Sequence, residues 1–202
     1  MDSEGISTNF ICNLFTPFNG DEGLNLGFRA TNFEEADLNP SGLAATSFIP
    51  GNNSNLIIKI NSSTCETSSS LDIFETLQHE LIHADLKRRL LQEYGYVPSP
   101  GESFQDAFDQ LVLETYGGAA SQDEHLIMVT EYLDIAVNSL IEMNGGVGTY
   151  NDFVGIVLNG FPLDILEAAG YTEEGVTAII LNSFEFINDP ENIINETLLG
   201  CD

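Results

Sequence analysis

The stretch His79-Glu80-Leu81-Ile82-His83 constrains the fold of this chain more than any other part of the sequence. Residues four positions apart on a helix lie one turn apart on the same face, so we expect His79 and His83 to stack. Two imidazoles in this arrangement can bind one metal ion at the roughly 2.0–2.1 Å that Zn–N bonds require. Glu80 follows the first histidine directly, and its carboxylate can reach a water on the metal without binding the metal. The pattern predicts a metal-binding helix with Glu80 as general base.

The residues around this stretch favour a helix. Ser69, Ser70 and Asp72 provide capping groups before it, and Gly95 is expected to end it. Apolar residues recur near the helical period on both sides of the histidines, at Leu71, Phe74, Leu77, Leu81, Ala84, Leu90 and Leu91. Three of the five basic residues in the chain follow, and we expect them in the last turns, where cations complement the helix dipole: Lys87, Arg88 and Arg89.

A catalytic zinc keeps three protein ligands and one open position, so we expect a third ligand elsewhere in the chain. The chain contains three histidines, and the remaining one, His125, lies 42 residues beyond His83 at the start of a predicted helix. Because no further histidine exists, His125 is the favoured third ligand. Carboxylates compete for the role, chiefly Glu124 and Glu131, and the choice stays open at this point.

The sequence pattern predicts that residues 1–202 form a single α+β domain with two parts. Residues 1–70 predict strands and loops that form a small antiparallel or mixed sheet. Leu56–Ile60 is the clearest strand, because it is short, β-branched and bounded by Asn and Ser. Residues 71–202 predict a mostly helical part. Beyond the histidine helix, we expect helices at about Ser103–Tyr116, Ser121–Met143, Tyr150–Leu158, Leu163–Ala169 and Thr172–Phe186.

The charge balance restricts the partners. The chain has 32 acidic and 5 basic residues and a net charge of −27. Such a chain repels phosphate backbones and anionic lipid, so we expect binding to neither nucleic acid nor membranes. The N-terminus lacks a signal-peptide pattern, and no apolar run reaches the roughly 18 residues of a membrane helix. As written, the sequence predicts a cytoplasmic protein of undetermined oligomeric state.

The three cysteines are far apart, at Cys12, Cys65 and Cys201. No Cys-x-x-Cys pair exists, so we expect no structural zinc ribbon. Free buried thiols are the favoured interpretation, with one disulfide as the alternative.

Residues 55–92 resemble the SprT-like zinc metallopeptidases, which carry a His-Glu-x-x-His-Ala core preceded by a strand. The resemblance is carried by the strand Leu56–Ile60 and by the run from Glu75 to Ala84. It implies a zincin-like fold, zinc bound by His79 and His83, and catalysis by Glu80. The chain departs from that family in two ways. The family's third histidine usually lies much closer to the second, and its C-terminal zinc ribbon is missing here.

The expected function is zinc-dependent hydrolysis of peptide bonds in a peptide or protein substrate. The zinc would activate a water, and Glu80 would take its proton and pass it to the leaving amine. An edge strand before the metal helix commonly binds the peptide in zincins, and Leu56–Ile60 is the candidate. Other side chains could donate to the oxyanion or orient a ligand; the candidates are Tyr94, Tyr96, Tyr116 and Tyr132 for the first role, and Asp85 and Asp123 for the second.

Two other functions compete with hydrolysis. A non-catalytic, acidic zincin-fold protein could use its charge to capture a basic protein partner. A purely structural zinc site is disfavoured, because closed structural sites generally use four Cys or His ligands.

Overall fold

The structure is a computed structural model that describes Phe18, residues 25–33, 42–49, 52–65, 68–92 and 124–189, and Asn192. Its strands are β1 Asn25–Thr31, β2 Ala44–Ile49 and β3 Asn52–Asn61. Its helices are α1 Ser62–Cys65, α2 Ser70–Gln92, α3 Glu124–Ile127, α4 Leu133–Met143, α5 Tyr150–Asn159, α6 Leu163–Ala168 and α7 Glu173–Ile187. A π-helical turn, Met128–Tyr132, joins α3 to α4. The predicted α+β class, with a small sheet and a mostly helical remainder, is confirmed for these residues.

Strand β3 lies in the middle of a mixed sheet with the order β1-β3-β2. β1 runs parallel to β3 and β2 runs antiparallel to it, so that Phe28 and Thr46 both lie opposite Ile58. The strand predicted at Leu56–Ile60 is therefore confirmed. Its predicted role as a peptide-binding edge strand is wrong, because both of its edges already pair with neighbouring strands.

Helix α2 begins with the capping residues that the sequence predicts. The backbone N–H of Asp72 donates to Ser69 Oγ at 3.1 Å, and the backbone N–H of Ser69 donates to Asp72 Oδ2 at 3.2 Å. This reciprocal arrangement satisfies donors that the first helical turn leaves without partners. The helix is described as far as Gln92, so the end predicted at Gly95 lies outside the described residues.

The centre of α2 is buried on all sides. Every residue from 80 to 87 is buried, because the sheet packs on one side of the helix and the segment from α3 to α4 packs on another. Polar side chains are buried together with apolar ones, namely Gln78, Glu80, His83, Asp85 and Lys87. Burying a polar group costs free energy unless the group is paired. The stability of α2 therefore depends on the contacts that these side chains make inside the protein.

The segment from α3 through the π turn to α4 contacts α2 along its length. Gln78 Nε2 donates to the carbonyl of Ala136 at 3.3 Å, and Met128 and Tyr132 pack in a cluster with apolar residues of α2 and with Ile58 of β3. The helix predicted at Ser121–Met143 is confirmed over residues 124–143, but the π turn is not predicted. Single π turns inside helices are frequently found at functional sites.

Helices α5, α6 and α7 lie close to their predicted positions. Thr149 and Asp152 form a capping box at the start of α5. Helices α5 and α7 are in close contact at Gly155, whose backbone N–H donates to Ser183 Oγ at 3.0 Å. A Cβ atom at Gly155 would lie 2.5 Å from the carbonyl oxygen of Ile179, so this helix contact requires glycine.

Some predictions fall on parts of the chain outside the described residues. They are the helix at Ser103–Tyr116, the tyrosines Tyr94, Tyr96 and Tyr116, the carboxylate of Asp123, and the cysteines Cys12 and Cys201. Among the helices that are described, none combines the length and apolar character needed to cross a bilayer.

Replacing Gly155 with alanine is expected to destabilise the protein by about 1–3 kcal/mol, because the added methyl group forces α5 and α7 apart. Urea denaturation followed by circular dichroism measures the change. Asn159→Ala, at an exposed position on the same helix, is the control and is expected to change stability by less than about 0.5 kcal/mol. A Gly155→Ala protein as stable as the control would contradict the close helix contact.

Candidate metal centre

Helix α2 brings His79 and His83 together on one face, as their spacing predicts. Their Nε2 atoms lie 3.0 Å apart, and their ring centroids are separated by 4.7 Å. His83 is buried and His79 is half-buried. The two nitrogens therefore face a common point beside the helix.

His125, on α3, completes the cluster. Its ring centroid lies 5.6 Å from that of His79 and 5.1 Å from that of His83. One potential ligand atom from each of the three residues lies within 4.8 Å of the other two, which identifies the cluster as a candidate metal site. The fold thus brings His125 next to His79 and His83, although His125 lies 42 residues beyond His83 in the sequence.

The chemistry of this cluster fits a divalent metal. Two nitrogens that share one tetrahedral ion at 2.0–2.1 Å are about 3.3 Å apart, close to the separation of the two Nε2 atoms. Burial lowers the pKa of His79 well below its usual value, and the neighbouring His83 and His125 lower it further. A neutral imidazole is the protonation state that binds metals. Three neutral imidazoles would leave a fourth position for water or substrate.

Glu124 lies on the other side of the His83 ring. Its Oε2 atom is 3.1 Å from His83 Nδ1 and 3.7 Å from the ammonium of Lys87. Burial alone would raise the pKa of Glu124, but contact with His83 and the positive charge of Lys87 lower it to about 2. This carboxylate is therefore ionised at neutral pH and lies between an imidazole and an ammonium group.

Lys87 was predicted to lie in the last turns of α2 and to complement the helix dipole, but the structure gives it a different environment. Its side chain is buried one turn beyond His83 and contacts Glu124. Burial lowers the pKa of Lys87, and the carboxylates of Glu124 and Glu80 oppose that shift. Arg89 does lie in the last turn of α2, as predicted.

Glu80 is buried beside the histidines, with an exposed fraction of 8%. Its backbone carbonyl accepts a hydrogen bond of 3.0 Å from Thr46 Oγ1, which ties this turn of α2 to strand β2. Its charge influences the pKa values of both Glu75 and Lys87. Glu80 is therefore buried on the turn between His79 and His83, and its backbone ties that turn to β2.

Phe161 and Gly160, which follow helix α5, form an apolar wall against the cluster. The Phe161 ring centroid lies 5.2 Å from that of His79 and 5.8 Å from that of His125. A crevice lined by His79, Glu75 and Phe161 encloses about 10 Å³, which is room for roughly one water molecule. The loop after α5 therefore limits access of water to one side of the histidines.

Tyr132 and Asp85, both considered for the site, contact each other instead of the histidines. The Tyr132 hydroxyl donates to Asp85 Oδ2 at 3.0 Å and accepts from Arg89 Nη1 at 3.1 Å. Asp85 Oδ1 also accepts from Arg88 Nε at 2.9 Å. Burial and the charge of Asp85 raise the pKa of Tyr132 to about 12. This network joins the π turn to α2 and leaves the Tyr132 hydroxyl engaged away from the cluster.

Glu131, the other carboxylate considered as a third ligand, lies 3.6 Å from Arg89 Nη1. Glu131 therefore forms an ion pair with Arg89, in the last turn of α2. Among the described residues, the candidate ligand group contains His79, His83 and His125 and no carboxylate.

Sequence reasoning missed three residues that surround the histidines. Glu75 lies one turn before His79, and Lys87 lies one turn after His83, so the four-residue spacing was a usable signal for both. Phe161 had no such signal, because it lies in the turn between α5 and α6, far from α2 in the sequence.

Replacing Glu75 with glutamine is expected to raise stability near pH 8. Burial, together with the charges of Asp72 and Glu80, raises the pKa of Glu75 from 4.5 to about 8. The folded protein therefore binds this proton more tightly than the unfolded chain, so its stabilising effect is complete below pH 4.5 and is lost as the pH rises to about 8.

Urea denaturation in chelator at pH 5, 6, 7 and 8 tests this effect. The stability of wild type should fall relative to Glu75→Gln by at most about 1.4 kcal/mol per pH unit over this range. Glu185→Gln, at an exposed position on α7, should follow wild type. Parallel curves for wild type and Glu75→Gln would contradict the raised pKa.

The chain was compared with protein families, with curated proteins and with solved structures. The chain matches no family model, no curated protein and no solved structure. The functional assignment therefore depends on the residues of the cluster themselves.

Proposed function

We propose that this protein is a zinc-dependent metallopeptidase. The observation that carries the proposal is the grouping of His79, His83 and His125, whose ligand atoms lie within 4.8 Å of one another, with the buried Glu80 on the adjoining turn of α2. The His-Glu-x-x-His spacing, the helix that presents it and the all-histidine ligand set all favour a catalytic site with an open position. The resemblance to SprT-like metallopeptidases, and with it a zincin-like fold, belongs to the same proposal.

Zn²⁺ held by the three histidines would supply a Lewis acid that polarises a peptide carbonyl and acidifies water. The remaining work falls to residues of this chain. Glu80 accepts the proton of the attacking water and delivers it to the nitrogen of the leaving amine, which cannot leave as an anion at neutral pH. Phe161 excludes bulk water from one side of the histidines, which strengthens electrostatic interactions there.

Strand β2 is the candidate for binding the substrate. Among the described strands it lies at one edge of the sheet, and it packs against α2. The hydrogen bond from Thr46 to the Glu80 carbonyl fixes β2 next to the proposed base. An extended peptide that paired with this edge would run beside α2 at the turn that carries Glu80.

Replacing His125 with alanine is expected to remove most of the bound zinc, because a two-histidine site binds the ion far more weakly. Elemental analysis should find about one zinc per wild-type chain and a marked loss in His125→Ala. Glu131→Gln is the control and should keep its zinc, since Glu131 pairs with Arg89. Equal zinc content in wild type and His125→Ala would exclude His125 as a ligand.

Replacing Glu80 with glutamine is expected to lower peptide hydrolysis by roughly 10²- to 10⁴-fold, because the general base is lost. Zinc content and thermal unfolding should remain as in wild type. Fluorogenic peptide libraries and unfolded protein substrates provide the assay, and Glu185→Gln is the control for removing one acidic charge. A zinc-loaded wild type without hydrolysis on any substrate would instead favour the acidic binding protein.

A further inference from the structure

We propose that Glu124 is a positioning residue for the metal ligand His83, and that Lys87 holds Glu124 in place. This inference rests on the proposed metal site. It assigns Glu124 a contact with the imidazole instead of with the ion, and so decides the role of one of the two carboxylates considered as third ligand.

The geometry of the His83 ring carries the first step. Its two nitrogens point away from each other, and each faces a different group. Nε2 lies 3.0 Å from His79 Nε2, on the side where the ligands converge, while Nδ1 lies 3.1 Å from Glu124 Oε2. An oxygen on the Nδ1 side of the ring cannot also reach an ion bound at Nε2.

The chemistry of imidazole supplies the second step. A histidine that binds a metal through one nitrogen generally donates the proton on its other nitrogen to a carboxylate or carbonyl, which fixes the tautomer and the ring orientation. Glu124 Oε2 is within reach of the Nδ1 proton of His83, and both atoms are buried without another hydrogen-bond partner. Their angle falls outside hydrogen-bond geometry, so a small rotation of either side chain would complete the bond. That contact would keep the lone pair of Nε2 directed at the metal and would raise the basicity of the ring.

Lys87 supplies the third step. Its side chain is only 7% exposed, and its ammonium lies 3.7 Å from the same Oε2 atom of Glu124. A buried carboxylate is stable only when it is paired, and Lys87 provides that pairing from within protein. Glu124 therefore does not need a metal ion to balance its charge.

The order of residues in α3 couples the two roles. Glu124 and His125 are adjacent, so the same turn of helix delivers the carboxylate behind His83 and the third imidazole in front of it. Docking α3 against α2 would therefore complete the ligand set and orient His83 in a single step.

The experiment measures the affinity for Zn²⁺ of the full chain by competition with a chromophoric chelator, and the absorption spectrum of the Co²⁺-loaded protein. Glu124→Gln keeps the size of the side chain and should weaken zinc binding by roughly 10- to 100-fold. At saturating Co²⁺, its spectrum should match wild type in band position and intensity, because the ligands on the ion are unchanged. Glu131→Gln is the control and should bind zinc as wild type does.

Lys87→Met tests the same pair from α2. It should also weaken zinc binding, but in the double variant with Glu124→Gln it should add little, because its effect acts through the carboxylate. Two unrelated structural defects would add instead. Circular dichroism establishes whether each variant is folded. If Glu124→Gln does not fold, the zinc affinity of Lys87→Met provides the test instead.

Three results would overturn the inference. They are wild-type affinity in Glu124→Gln, a changed Co²⁺ spectrum at saturation, which would make Glu124 a direct ligand, and additive effects in the double variant. These are distinct from failure of the proposed function. Zinc binding without hydrolysis would end the peptidase proposal alone, whereas a wild type that binds no zinc would end both.

Discussion

The burial of α2 is the constraint on which the rest of this structure depends. A helix buried from residue 80 to residue 87 must find a partner inside the protein for each polar side chain that it carries. The segment from α3 to α4 supplies several of them. Glu124 contacts His83 and Lys87, while Tyr132 contacts Asp85. The same contacts between α2 and this segment bring His125 beside the two histidines of α2.

The sequence identified the parts of this arrangement whose signals are local. The His79 and His83 pair follows from spacing, and the start of α2 follows from the capping chemistry of Ser69 and Asp72. Helices α5 and α7 were predicted closely, because each carries an apolar face and begins at a capping threonine, Thr149 for α5 and Thr172 for α7. Local sequence decides these features, and tertiary packing does not override them.

Features that depend on packing were not visible in the same way. Most residues of β1 are exposed, so the strand shows no alternation of buried and exposed positions by which it could be recognised. The central position of β3 is a property of the sheet order, which no residue within the strand encodes. Lys87 has the position of a residue that complements a helix dipole, and only the arrival of Glu124 from a distant segment makes it part of a buried cluster.

The long separation between His83 and His125 would give a bound ion a mechanical role as well. An ion held by both would close a loop of 42 residues, and in this respect it acts as a cross-link. The chain-entropy relation used for disulfides gives about 4 kcal/mol for a loop of this length, on the same scale as the whole stability of many domains. For a chain whose net charge of −27 favours expansion, a cation at this point would join the distant halves of the fold as well as equip the site for chemistry. The supply of metal in the surroundings would then govern how much folded protein is present.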